Sequence, residues 1–232
     1  MRRILAALAT LTALTGCIGT VQTTSGADYL ARGPIADPAI RAAASIEPDL
    51  RLPARIGIAR LVGGRLAIAP TEEAEALARF AARHRAMGEW VPLSPFLDDA
   101  SRDVPTLDRL RRTAARQHLD YLLVYEIGAR RGPTGDTPFA LADVTLIGGA
   151  VLPTRVTRAQ GIGTAIFLDV RNGYPYGTAT AVEDLTGLAR SFGTGRAEAA
   201  LRARAERAVA RELLPEVEAM LARLASAAGR GR

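Results

Sequence analysis

The run at 161–185, GIGTAIFLDVRNGYPYGTATAVEDL, alternates small or apolar residues with polar ones on either side of Asn172-Gly173. A period of two reads as a strand with one buried face, and Asn-Gly between two such runs is a strong hairpin signal. The following Tyr174-Pro175-Tyr176 can lengthen the turn. Two long antiparallel strands cannot bury their shared face alone, so the rest of the chain must supply more sheet and a covering layer.

The upstream sequence supplies both. RIGIARL (55–61) reads as a strand, and Thr71-Glu72-Glu73 places an N-cap and two acids ahead of Ala74, Leu77, Ala78 and Ala81. That order, acids before the apolar stripe, is the start of an amphipathic helix. Trp90-Val91-Pro92-Leu93 reads as a short strand, Leu107, Leu110 and Ala114 repeat at helical spacing within 105–117, and Tyr121–Tyr125 is continuously apolar. A continuous apolar run suits a strand buried on both faces. After Gly128 the patterns are β: a turn-rich segment at 129–139, a long strand at 142–153 broken by Gly148-Gly149, then the hairpin. From Gly193 the chain is helical to about Ala227, with Leu201, Ala205, Val209, Leu213, Val217, Met220 and Leu224 on one stripe. Pro215 lacks an amide hydrogen and is expected to kink or split that helix near Leu214.

The order β-α-β-α-β, then three antiparallel strands and a closing helix, implies an α/β (α+β) fold. One mixed sheet has an early parallel part, an antiparallel extension and helices packed on it. The expected organisation is a signal peptide at 1–16, a lipidated cysteine and tether with a short helix at 17–50, a single domain at 51–227 and a tail at 228–232. Within the tether, residues 18–36 are polar and aperiodic, and Asp37-Pro38 starts a helix through Ile46.

The N-terminal reading rests on Cys17, the chain's only cysteine. Two arginines (Arg2, Arg3) precede an apolar stretch from Ile4 to Ala13, and Leu14-Thr15-Gly16-Cys17 follows. A charged n-region, a short h-region and a small residue before the cut make a signal peptide. The stretch is shorter than the roughly 20 residues a spanning helix needs. The tetrapeptide resembles the bacterial lipobox, which implies cleavage between Gly16 and Cys17 and lipidation of the Cys17 thiol. Ile18, where an Asp favours inner-membrane retention, points to the outer membrane on its periplasmic side; the inner membrane is the alternative. With Cys17 modified, no disulfide is available.

The charge of +6 falls to +4 once Arg2 and Arg3 leave, and all 30 basic residues are arginine. A diffuse charge on an exported chain argues against a nucleic-acid partner. Interleaved Glu198, Glu206 and Glu212 make the Arg202, Arg204, Arg207 and Arg211 face a mixed, solvated one.

No catalytic, cofactor or metal constellation emerges. His84 and His118 lack metal-ligand spacing and sit on or at the ends of helices. Asp98-Asp99 reads as a loop and Glu183-Asp184 as a strand end, where adjacent acids are solvated. Gly161-Ile162-Gly163 falls inside a strand and lacks the strand-to-helix setting of a dinucleotide fingerprint. Gly148-Gly149 marks a bulge. Gly193-Thr194-Gly195-Arg196 precedes a helix, where free amides attract anions, but lacks a P-loop's lysine and spacing.

RIGIARL, the acid-started helix, LDYLLVYEI (119–127), LADVTLIGGAVLP (141–153) and GTAIFLDVRNG (163–173) together resemble the proteobacterial rhombotarget-type lipoproteins. Those relatives often end in a Gly-Gly motif, a hydrophobic helix and basic residues; this chain ends AAGRGR, so that processing is not carried over. The element order is also similar to the N-terminal domain of the Tol-system β-propeller protein and to the curli-secretion channel lipoprotein. These resemblances imply a non-enzymatic accessory or assembly subunit of the envelope. Its expected partners are membrane lipid through Cys17 and an envelope protein or further copies of itself. Such a module should expose an apolar patch or a sheet edge. The alternative is an envelope enzyme or small-ligand carrier, with a pocket where polar groups converge.

Overall fold

The computed structural model describes residues 20–98, 106–136, 155–190 and 194–230. The signal peptide expected at 1–16, Cys17, Asp99, the strand expected at 142–153 with Gly148-Gly149, and Gly193 lie outside the described residues. Among those described, one eight-stranded mixed sheet carries helices on both faces.

The sheet is built around β2 (Ala54–Val62), which runs parallel to β4 (Gly88–Pro92) on one side and to β5 (Tyr121–Arg131) on the other. The crossovers are α3 (Thr71–Arg83) and α4 (Thr106–Arg116). Because β4 and β5 flank β2 on opposite sides, crossovers of one hand place these helices on opposite faces. Phe80 of α3 accordingly packs with Ile56, Ile58 and Tyr121, while Leu110 and Ala114 of α4 pack with Ala59, Leu122 and Val124. Tyr121–Tyr125 is buried on both faces, as its unbroken apolar run requires.

The antiparallel part is longer than the sequence pattern alone indicates. β7 (Arg155–Asp169) pairs with β5 and with β8 (Pro175–Ala189), and Gly135–Asp136 (β6) also pairs with β7. The turn between β7 and β8 is the lengthened kind. Asp169 N–H donates to the Tyr174 carbonyl, Asp169 Oδ1 accepts the amides of Arg171 and Asn172, and Gly173 takes φ +78°. Glu183 and Asp184 lie within β8, not at its end.

Helix α5 (Thr194–Arg230) covers β8, β7 and β5 on the α3 side of the sheet. All seven residues of the expected stripe are buried, whereas Arg202, Arg204, Arg207 and Arg211 are exposed. Its backbone sits on Gly161, where a Cβ would lie 2.5 Å from the Ala205 carbonyl oxygen. The helix is not split: it runs through Pro215. The carbonyl that loses its amide partner belongs to the exposed Arg211, and buried residues on both sides of the proline hold the helix down.

Two elements depart from expectation. Gly63 and Gly64, at φ +56° and +73°, turn the chain back into β3 (Arg65–Ala67), antiparallel to β2. The segment read as a tether is engaged with the body from Thr20 onward. Thr20–Val21 forms β1 on the edge of β8, followed by α1 (Gly26–Leu30) and α2 (Pro38–Ala44). Asp37 caps α2 through the amides of Ala39 and Ile40. Glu47 accepts the amides of Gly26 and Ala27, which holds its carboxyl below the ordinary range. Side chains of the sheet and of the β7–β8 turn fasten this segment by hydrogen bonds. Tyr174 donates to the Thr24 carbonyl, Tyr176 Oη accepts the Asp49 amide, Tyr121 Oη accepts the Arg51 amide, and Asn172 Nδ2 donates to the Glu47 carbonyl.

Candidate functional site

A cavity of about 820 Å³ opens between α3 and α5 over the middle of the sheet. Arg60 of β2 and Tyr125 of β5 are register partners in the parallel pair, so they stand side by side on the floor. Glu73, in the first turn of α3, reaches down to both. Arg60 Nε donates to its carboxylate oxygens at 3.0 and 3.2 Å, and the Tyr125 hydroxyl donates to Oε1. The Arg60 and Glu73 side chains keep 16% and 17% of their exposure, so this ion pair is largely withdrawn from water. Burial, with the bond to Glu73 second, pushes the Tyr125 phenol far above its ordinary range, and it stays a neutral donor.

The remaining floor and walls are mostly carbon: Leu77 from α3, Ile127 from β5, and Leu213, Leu214 and Val217 from α5. At the mouth, Glu72, Glu75 and Arg79 on α3 face Glu206, Arg207 and Arg211 on α5. The two signs are balanced there, and Arg79 already lies 3.9 Å from Glu75. This is an apolar cleft with a polar group fixed on its floor, within the size range of about 300–1,000 Å³ of small-ligand pockets.

Among the described residues, the histidines, the paired acids and the Gly193–Arg196 segment weighed from sequence as catalytic, metal or anion candidates do not line it. His84 caps the C-terminal end of α3, its ring 4.6 Å from Phe80 and its Nε2 3.9 Å from Glu218 of α5. Burial is the main cause holding its pKa below the ordinary 6.5. His118 is exposed and stops α4 in a left-handed conformation at φ +54°. Asp98 accepts from the buried Arg109 at 3.0 Å, an ion pair that ties the loop before α4 to that helix. The Thr194 hydroxyl donates to the Arg190 carbonyl at the start of α5. None of these lines the cavity, and among the described residues no group of three or more His, Cys, Asp and Glu has a geometry for a metal ion.

Arg60, Glu73 and Tyr125 were not singled out from sequence, since each fits its own element without the others. Two hints were nevertheless present: an arginine in the interior of a buried strand, and a tyrosine that closes the apolar run Tyr121–Tyr125 just before Glu126.

A second feature concerns the sheet edge. Among the described residues, β8 is paired on its outer side by β1 at Gly177 and Thr178, with Gln22 N–H donating to the Tyr176 carbonyl, and Val182 and Leu188 beyond that point are exposed. No helix among the described residues is long and apolar enough to cross a membrane.

No family model matches the chain, and no curated protein matches it. Among solved structures it is similar to the PelC dodecamer from Paraburkholderia phytofirmans, at 16% identity over 85% of this chain and 96% of that one, with a TM-score of 0.32. It is also similar to the hypothetical protein CT253 from Chlamydia trachomatis, at 11% identity over 73% of this chain and 98% of that one, with a TM-score of 0.28. At these scores neither likeness bears on what the chain does.

Proposed function

We propose that this chain is an envelope lipoprotein, anchored through Cys17 to the periplasmic side of the outer membrane, that acts as a non-enzymatic accessory or assembly subunit. The observation that carries the reading is the position of β1. The first strand begins three residues after the lipobox cysteine, and the segment that follows is fastened to the sheet by Tyr121, Tyr174, Tyr176 and Asn172. A body held this close to its anchor presents the β1–β8 edge at the membrane, and from Ala179 to Ala189 no strand among the described residues pairs with that edge, which leaves it to an envelope partner.

The test is extraction of the native protein in mild detergent, sizing, and mass spectrometry of co-eluting proteins. A reproducible assembly that disappears when β8 carries Val182→Pro supports the subunit reading. A lone monomer in every extract refutes it. Cys17→Ser is expected to move the protein from the membrane to the soluble fraction.

The cavity favours a second reading, a lipid-anchored carrier of a small ligand. It is a cleft between two helices and the sheet, and the polar groups on its floor are fixed before any ligand arrives.

A further inference from the structure

We infer that the cavity between α3 and α5 binds an amphiphile with one aliphatic chain and a terminal carboxylate, its head group held by Arg60; this rests on the carrier reading. The argument is a count of donors and acceptors on the floor. Glu73 Oε1 accepts from both Arg60 Nε and Tyr125, and Oε2 also faces Arg60 Nε. The phenolic hydrogen is spent on Glu73. The floor's strongest acceptor is therefore engaged, and its hydroxyl proton is used.

Its donors are not. Arg60 lines the cavity, and neither of its Nη nitrogens forms a hydrogen bond among the described residues. A guanidinium gripped through Nε alone keeps its orientation and offers N–H groups in the planar fork that matches a carboxylate. Arginine does not deprotonate in proteins, so the cation persists at any working pH.

The mouth cannot select a sign, because its three arginines and three glutamates balance. Selection falls to the floor, where the open positions donate. An aliphatic chain lies along Leu77, Ile127, Leu213, Leu214 and Val217, a lining with few polar groups to satisfy. A cationic head group would meet the unused donors of Arg60 and a carboxylate already engaged. A neutral alcohol would forgo the charge-assisted bonds.

The test uses the full chain carrying Cys17→Ser, which can be handled without detergent. Nile red reports occupancy of the apolar cleft, and dodecanoate, dodecanol, dodecyl phosphate and dodecyltrimethylammonium compete for it. Dodecanoate is expected to displace the dye at least about tenfold more tightly than dodecanol, the worth of a charge-assisted bond. Arg60→Gln should bring the two to the same level. Ala210→Trp, which adds an indole to the α5 wall and replaces neither Arg60 nor Glu73, should abolish dye and dodecanoate binding together.

Circular dichroism establishes that each variant folds. If Arg60→Gln does not, the wild-type comparison of dodecanoate with dodecanol decides alone. Dye binding with no preference for dodecanoate over dodecanol, or with a preference for the phosphate or the ammonium, overturns the ligand class and leaves the carrier reading standing. A folded wild-type chain that binds no dye, or dye binding that survives Ala210→Trp, overturns both.

Discussion

The three floor residues divide the work unevenly, and stability measurements should reveal how. Removing one partner of a withdrawn ion pair leaves the other charge uncompensated, which costs more than losing a hydrogen bond. Glu73→Ala is therefore expected to destabilise by about 3 kcal/mol. Tyr125→Phe should cost about 1.5–2 kcal/mol, since it loses one bond to a charged acceptor and keeps the ring. Urea denaturation ranks the two; a larger loss for Tyr125→Phe would mean that Glu73 is not the centre of the cluster. His84 gives a pH signature. Its folded pKa lies below 6.5, mainly from burial, so below that pH the unfolded chain takes up a proton before the folded one does. The stability associated with neutral His84 is complete above about pH 6.5 and is lost as pH falls through the depressed folded value. Melting temperature followed downward from pH 8 should fall less in His84→Gln than in the wild type, and equal slopes would show that the ring is not withdrawn from water.

At the scale of elements, legibility followed length. Strands β2, β5, β7 and β8 and helices α3, α4 and α5 span enough residues for a period of two or of 3.6 to register, and the parallel and antiparallel halves followed from their order. The two-residue β1 and three-residue β3 carry no period. β3 did have a signal in Gly63-Gly64, the pair that a two-residue hairpin turn with two positive φ angles requires. β1 had none, because what holds it lies about 150 residues away in β8 and in the tyrosines after the hairpin turn. The cavity was illegible for the same reason. Arg60, Glu73 and Tyr125 meet only through sheet register and a crossover helix. Proline 215 shows the converse, a strong local signal overridden by packing. The exposed proline costs a helical hydrogen bond, while burial of Leu213, Val217, Met220 and Leu221 keeps the helix whole. Pro215→Ala restores the amide and removes no buried surface. A helix-interior proline costs about 3 kcal/mol, and its rigidity in the unfolded chain returns about 1, so the variant should gain about 2 kcal/mol. Urea denaturation checks this; a loss of stability would mean that the two halves of α5 need the proline to lie against the sheet.

On the scale of the whole molecule, anchor and sheet make one geometric claim. Three residues span at most about 11 Å, so the proposed lipid on Cys17 would keep β1 near the bilayer surface whatever the body's orientation. The sheet order runs from β1 at one edge to β3 at the other, and five inter-strand steps separate them by about 24 Å. Two sites therefore report opposite edges. Ser226 on α5 gathers with Val21 and Thr23 beside β1, and Ile68, 74% exposed, follows β3. The sole native cysteine is consumed by lipidation in this reading, so Ser226→Cys and Ile68→Cys each introduce the one thiol open to a fluorophore. In vesicles containing nitroxide-headgroup lipid, the label at 226 should be strongly quenched and the label at 68 weakly. The contrast depends on the clamps. Asn172→Ala with Tyr174→Phe removes the bonds to Glu47 and Thr24 and leaves the two-residue β1 pairing to hold the chain near Cys17, so the effective tether lengthens wherever that pairing opens. The difference between the two sites should then shrink while the protein stays membrane-bound. Equal quenching at both sites in the unmodified clamp would mean that the segment before Asp49 is a free tether, and would detach the sheet edge from the membrane surface it is proposed to face.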